Sequence, residues 1–307
     1  MSFSRGVKQE LARIRLRGEH VKRAELLGLV HAAGSLRLGS IFGVEFTSET
    51  HEVGRLFASL ASSLYDVQAE IALRTTERRH IAFTDVTLTG PGAEPLLTQA
   101  GLFRRTGDGA ELLQEIPEEY LATDEERRAF IRGAFLGAGS CSNPKRTYHL
   151  EIVCRGEPFA LALCKYTGDL CCPLKTVRRK DRTVVYLKEG DRIAAFLALL
   201  GASSATLSFE DARAEKELRN YINRTSNCET ANIGKTVYAA GEQLDAIRAI
   251  LRHRDYERLS PALRETAELR LNNPEASLQE LAELAGIGKS GMNHRLQRLL
   301  RIAEQLR

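Results

Sequence analysis

Residues 26–36 read Leu-Leu-Gly-Leu-Val-His-Ala-Ala-Gly-Ser-Leu, and residues 131–141 read Ile-Arg-Gly-Ala-Phe-Leu-Gly-Ala-Gly-Ser-Cys. Gly28 corresponds to Gly133, Gly34 to Gly139, and Ala33-Gly34-Ser35 recurs as Ala138-Gly139-Ser140, all at an offset of 105. Each copy carries a small residue followed by another four positions on: Gly28 with Ala32, Gly133 with Gly137. Residues i and i+4 share a helix face. A face with almost no side chains lets two backbones come close. The spacing therefore predicts two helices packed on each other about a local twofold axis. Gly34 and Gly139, at the ends of these helices, read as left-handed C-terminal stops.

The repeat extends outward in both directions. After each copy comes an alternating run, Ile41–Phe46 in the first and Tyr148–Val153 in the second. A helical stretch follows (about 50–65; about 157–168). Two more strand-like runs come next: Val67–Leu73 and Ile81–Leu88, matched by Leu174–Val177 and Thr183–Leu187. A last helical stretch closes each half (about 92–101; about 191–200). Period-2 strands and 3.6-period helices give α-β-β-α-β-β-α twice. The expectation is an α+β domain over 1–208, with halves at about 1–120 and 121–208. From 209 the pattern is helical: a polar helix at 209–224, an Asn-rich break at 225–232 and a helix at about 235–252. Residues 209–256 thus read as a helical connector, and 257–307 as a closing all-α domain.

The 307 residues are 43% apolar and 27% charged, the usage of packed globular domains. No run of 18 uninterrupted apolar residues exists, which speaks against a membrane span. The N-terminus lacks an apolar signal-peptide core, so a cytoplasmic, nucleoid-associated protein is expected. The six cysteines form no C-x-x-C pair, and no structural metal or cofactor is expected. A net charge of +4 does not announce a nucleic-acid binder, so charge must be read locally.

Read locally, charge concentrates at the C-terminus. Ser277-Leu278-Gln279-Glu280 is a capping box that starts a helix at Leu278. Ala285-Gly286-Ile287-Gly288 breaks that helix, as a helix-turn-helix requires. In the next helix, Met292, Leu296, Leu299, Ala303 and Leu306 follow core spacing. The other face carries Ser290, His294, Gln297, Arg298 and Arg301, flanked by Lys289, Asn293 and Arg295. Residues 289–307 hold five basic side chains and one acid, whereas 257–288 hold three basic and six acidic. The N-terminal turns of a recognition helix reach base edges, here Lys289, Ser290, Asn293 and His294. Arg295, Arg298 and Arg301 suit the phosphate backbone. The alternative is a helical hairpin with a merely solvated face. Four phosphate contacts would weaken binding about a hundredfold between 50 and 200 mM salt.

The paired nonapeptides resemble the LAGLIDADG motif of homing endonucleases in its single-chain, two-repeat form. That resemblance implies a saddle of sheets able to hold duplex DNA, and an acid at position eight of each copy to hold divalent metal. Here those positions are Ala33 and Ala138, and neither can ligate a metal. Glu45 and Glu151 occupy comparable strand positions, either as exposed carboxylates or as a rebuilt metal site. Arg37, Arg74, Arg78, Arg79, Lys175, Arg178, Arg179, Lys180 and Arg182 are the candidate saddle cations. Residues 1–208 carry a net charge of only +3, so a solvated surface stands as the alternative.

The combination of this repeat with the C-terminal domain resembles the WhiA family of bacterial transcription regulators. Arg132–Leu136, Tyr148–Glu151, Asn227–Asn232, Asn272–Leu278 and Lys289–Leu296 carry the likeness in order. It implies a non-catalytic, DNA-binding regulator of cell division, chromosome segregation or sporulation. It also implies double-stranded promoter DNA as partner and, by analogy with actinobacterial relatives, a WhiB-like iron–sulfur regulator. A metal-dependent homing-type endonuclease and a protein-interaction scaffold are the competing readings.

Overall fold

A computed structural model describes residues 2–37, 42–76, 82–106, 109–252 and 254–306. The chain forms two compact units, Met1–Lys216 and Glu217–Arg307. The first opens with α1 (Phe3–Leu11) and α2 (Glu19–Ala33). Then come β1 (Gly34–Arg37), β2 (Gly43–Ser48), α3 (His51–Leu64), β3 (Gln68–Thr75), β4 (Ala82–Thr89) and α4 (Ala93–Gln99). A short hairpin, β5 (Phe103–Thr106) and β6 (Gly109–Leu112), leads to α5 (Asp124–Ala138). The second half repeats the order with β7 (Gly139–Cys141), β8 (Leu150–Cys154), α6 (Glu157–Asp169), β9 (Lys175–Arg179), β10 (Arg182–Leu187) and α7 (Gly190–Leu200). Both four-stranded sheets are antiparallel, ordered β1-β2-β4-β3 and β7-β8-β10-β9. The expected repeat is therefore present, and hairpin β5–β6 and helix α1 are additions to it.

Helices α2 and α5 form the axis of this unit. A Cβ at Gly28 would sit 2.1 Å from the Phe130 carbonyl oxygen, and one at Gly133 would sit 2.1 Å from the Glu25 carbonyl oxygen. The two clashes are symmetric, since Phe130 and Glu25 are themselves 105 positions apart. Gly34 and Gly139 are not left-handed stops. They have φ of −67° and −79°, because each helix passes straight into β1 or β7. Glycine is needed there for space: a Cβ at Gly34 would lie 2.6 Å from the Val30 carbonyl oxygen.

Charged and titratable groups are buried along this axis, among them Glu25, Arg132 and His31. Glu25 and Arg132 form an ion pair at 2.5 Å, with side-chain exposures of 1% and 10%. His31 is buried, and its Nε2–H donates to the Ala100 carbonyl at 2.7 Å. Burial holds the His31 imidazole down at about 4, from 6.5. The unfolded chain therefore takes up a proton at His31 at a higher pH than the folded chain does. Stability is full above about pH 6.5, falls as pH drops towards 4 and levels off below. The loss is on the order of 3 kcal/mol. His31→Leu should abolish this part of the acid limb, which urea titrations between pH 4 and 7 would measure.

Helix α8 (Ser203–Leu251) runs without interruption, so the expected break at 225–232 is absent. The reason is local: polar side chains can bond within a helix instead of ending it. Thr225 does so, its hydroxyl donating to the Tyr221 carbonyl at 3.1 Å. Most of the range expected as a connector, 209–256, falls within α8. The start of α8 belongs to the first core through buried Phe209, and its last turns join the second through Ile247 and Ile250. The second unit continues with α9 (Pro261–Asn272), α10 (Leu278–Leu284) and α11 (Lys289–Gln305). Cys141 and Cys154 are buried, and burial pushes both thiols up to about 12, which leaves them unreactive. The Cys228 side chain lies outside the described residues.

Candidate nucleic-acid interface

The helix-turn-helix is built by local chemistry that the sequence spells out. The Glu280 N–H donates to the Ser277 hydroxyl at 3.3 Å, and Glu280 in turn accepts from the Ser277 N–H at 2.7 Å. Such a cap contributes about 1 kcal/mol. At the other end of α10, Gly286 takes φ of +63°. Its N–H reaches the Glu283 carbonyl at 3.1 Å, while the Ile287 N–H reaches Ala282 at 3.0 Å. These are the two bonds of a Schellman ending, and the left-handed residue within it requires glycine. The side chain of Ile287 packs on the core of the unit.

Arg270 was not foreseen. It is buried at the end of α9, and its Nη1 donates to the Ala276 carbonyl at 2.6 Å. The Asn273 and Pro274 carbonyls lie at 3.5 Å from the same atom. One guanidinium therefore holds the whole α9–α10 connection and aims α10. The only sequence signal is an arginine placed just before Asn272-Asn273-Pro274.

Helix α11 then divides cleanly. Met292, Leu296, Leu299 and Ala303 are buried against Leu281 and Leu263, and Leu306 packs at the edge. Lys289, Ser290, Asn293, His294, Gln297, Arg298 and Arg301 are all exposed. Among the described residues no carboxylate pairs with Lys289, Arg298 or Arg301. Arg295 differs from its neighbours. It is half-buried and pairs with Glu265 at 3.1 Å, with Ala262 carbonyl at 3.5 Å, so it ties α11 to α9. A carboxylate on α9 at that distance is not visible in the periodicity of α11.

The sheets of the first unit present a different surface. The sides turned away from the helices carry Arg37, Arg74, Glu45, Glu70 and Asp85 in the first sheet. Arg37 pairs with Glu45 at 3.8 Å and Arg74 with Asp85 at 2.9 Å. In the second sheet Lys175 meets Glu189 at 2.5 Å, and Arg179 meets Glu151 at 2.9 Å. Glu151 is not the freely exposed carboxylate expected, since His149 also reaches it at 3.0 Å. Its carboxyl is lowered, burial opposing and the His149 and Arg179 contacts prevailing. Arg178 and Lys180 are exposed but off that face, in the edge strand and its turn. Arg78 and Arg79 lie outside the described residues.

The ends of α2 and α5 carry no acid. Instead, Arg155 donates to the carbonyls of Gly34 and, at 3.4 Å, Ala33. A guanidinium thus sits on the very helix end where Ala33 replaces a carboxylate. Among the described residues no cluster of three His, Cys, Asp or Glu side chains suits a metal ion.

Comparison with known proteins follows this division. Residues 22–83 and 127–219 match the WhiA LAGLIDADG-like domain, and residues 222–303 match the WhiA C-terminal HTH domain. Over 312 residues the chain is 38% identical to the "Probable cell division protein WhiA" of Clostridium perfringens strain 13, covering all of this chain and 99% of that one. The protein of the same name from Clostridium beijerinckii is 38% identical over 313 residues, with the same coverage. The crystal structure of full-length DUF199/WhiA from Thermatoga maritima superposes with a TM-score of 0.59 at 25% identity, over 99% of both chains. The isolated N-terminal LAGLIDADG domain of DUF199/WhiA gives 0.52 at 23% identity, over 65% of this chain and 90% of that one. Paired glycine-faced helices, two four-stranded sheets and a capped helix-turn-helix agree with these matches, and the chain belongs to the WhiA family.

Proposed function

We propose that the chain is a DNA-binding transcription regulator linked to cell division and that α11 is its recognition helix. One observation carries this reading: α11 exposes a continuous polar and cationic face on which Lys289, Arg298 and Arg301 meet no carboxylate among the described residues, while its other face is locked in the core. Asn293 and His294, with Lys289 and Ser290, are set to meet base edges, and Arg298 and Arg301 to meet phosphates. Arg295 serves the packing of α11 through Glu265.

The same reading is of a non-catalytic protein, and the residues at the helix ends support it. Alanine methyls offer no oxygen ligands, and the Arg155 cation at the end of α2 repels a divalent ion. The outward faces of the sheets pair Arg37, Arg74, Lys175 and Arg179 with carboxylates, while Arg182 meets none among the described residues. They fit a protein partner better than a phosphate backbone, which favours the scaffold reading for the first unit. A WhiB-like partner and residence on the nucleoid remain proposals of the same kind.

The test uses the full chain and a randomised duplex pool, from which a preferred sequence is selected. Arg298→Ala and Arg301→Ala should each weaken binding on every duplex and lower the salt slope by about 1. Asn293→Ala should relax preference at one base pair, a discrimination worth about 1–3 kcal/mol. Unchanged affinity and selectivity in all three variants would overturn the assignment of α11.

A further inference from the structure

The DNA reading leaves a cavity of the first unit without a role. It measures about 300 Å³, and Leu36, Leu97, Leu102, Phe103 and Phe159 are among the apolar residues of its wall. Two of its polar residues are out of keeping with that wall.

The first is His31, at position six of the first nonapeptide. It is buried beside Phe159, ring to ring at 5.4 Å. Because Nε2–H donates to the Ala100 carbonyl, Nδ1 carries the lone pair and is an acceptor. The matching position of the second repeat is Leu136, fully buried. A leucine thus suits this place in the fold, and the desolvated imidazole is a feature of the first repeat alone.

The second is Arg155. Its two donations to the Gly34 and Ala33 carbonyls pin the guanidinium at the cavity. Arg182 is near enough to repel it. Among the described residues no carboxylate pairs with Arg155. An apolar space therefore ends on a fixed cation that lacks a counter-charge. Of the exposed arginines of this unit, Arg37, Arg74, Arg104 and Arg105 each have one, whereas Arg178 and Arg182 have none among the described residues.

Ligand sites are apolar spaces of about 300–1,000 Å³ with a few polar groups that set orientation. Here the volume lies at the small end. Charge selects the class of ligand: a cation would face Arg155 and Arg182, whereas a planar carboxylate matches a guanidinium with charge-assisted bonds. We propose that this cavity binds a small amphipathic carboxylate, with its tail among Leu36, Leu102 and Phe159 and its head on Arg155. The proposal stands apart from the role of α11 and does not depend on it.

Calorimetry and thermal unfolding of the full chain test it, with octanoate and phenylacetate as probes of an aliphatic and an aryl tail. Octan-1-ol and octylamine are the charge controls. At least one acid should bind at one site in the millimolar range or tighter and raise Tm. Both controls should bind about tenfold more weakly or less. Arg155→Gln keeps an amide that can donate to the helix end but loses the charge, and should weaken binding about tenfold. Leu112→Trp adds bulk at an exposed position of the cavity rim and should block binding without lowering Tm. If Arg155→Gln fails to fold, Leu112→Trp decides. Absence of binding by both acids overturns the proposal, as does octan-1-ol matching the bound acid or wild-type affinity in Leu112→Trp.

Discussion

Gly28→Val should unfold the first unit at room temperature or leave it barely stable. The added Cβ alone would stand 2.1 Å from the Phe130 carbonyl and 2.8 Å from the Ala134 amide nitrogen. Both are backbone atoms in the middle of α5, so no rotamer change relieves the clash. The helices must separate, and the side chains interlocked between them lose contact together. The cost belongs at the upper end of overpacking effects, about 3 kcal/mol or more. Gly133→Val should match it, because its Cβ meets the Glu25 carbonyl at the same 2.1 Å. Gly6→Ala is the control: nothing lies within 4 Å of that Cβ, and α1 should gain about 0.5–1 kcal/mol. Chemical denaturation of the three variants checks this. Equal stability of Gly28→Val and Gly6→Ala would refute the close-packed axis.

Arg132→Met is the second large effect. It leaves the Glu25 carboxylate buried without its partner, a loss of about 3–5 kcal/mol. The sign of its pH dependence is specific. Burial already pushes the Glu25 carboxyl above the ordinary range, with Arg132 drawing it back. Without Arg132 the folded state binds a proton at Glu25 at a higher pH than the unfolded chain does. The variant should therefore recover stability as pH falls from neutral towards 5 and lose it as pH rises. The double variant Glu25→Leu/Arg132→Met removes both charges and should recover most of the loss. A flat pH profile for Arg132→Met would mean that Glu25 is solvated there. Arg132 also reaches the Leu200 carbonyl at 3.4 Å, so the double variant need not return fully to wild type.

Much of the architecture was legible because its causes are local. Small residues at i and i+4 announced the paired helices, and a 105-residue offset announced the second copy. The Ser277–Glu280 box and Gly286 announced the helix-turn-helix to the residue. Apart from the offset itself, each of these signals depends on neighbours within a turn or two. The unbroken α8 was not legible, because Asn and Thr lower helix propensity without forbidding a helix. The extended backbone of Gly34 was missed for a related reason. A glycine after a helix serves equally as a left-handed stop or as room for a close carbonyl, and sequence does not distinguish them.

Residue pattern was enough to establish the doubled α+β unit, the closing helical domain and the alanines at positions 33 and 138, where the family resemblance implies acids, since each is a matter of which side chain stands at which spacing. Pairings across the fold were decided only by the tertiary structure. Glu265 takes Arg295 away from the outer face of α11, carboxylates pair with Arg37, Arg74, Lys175 and Arg179 on the sheets, and Arg155 lands on the end of α2 beside an apolar cavity. Long side chains reach partners that lie from 8 to 122 positions away in the chain. Those distances are set by how helices and sheets pack, and no periodicity along one element records them.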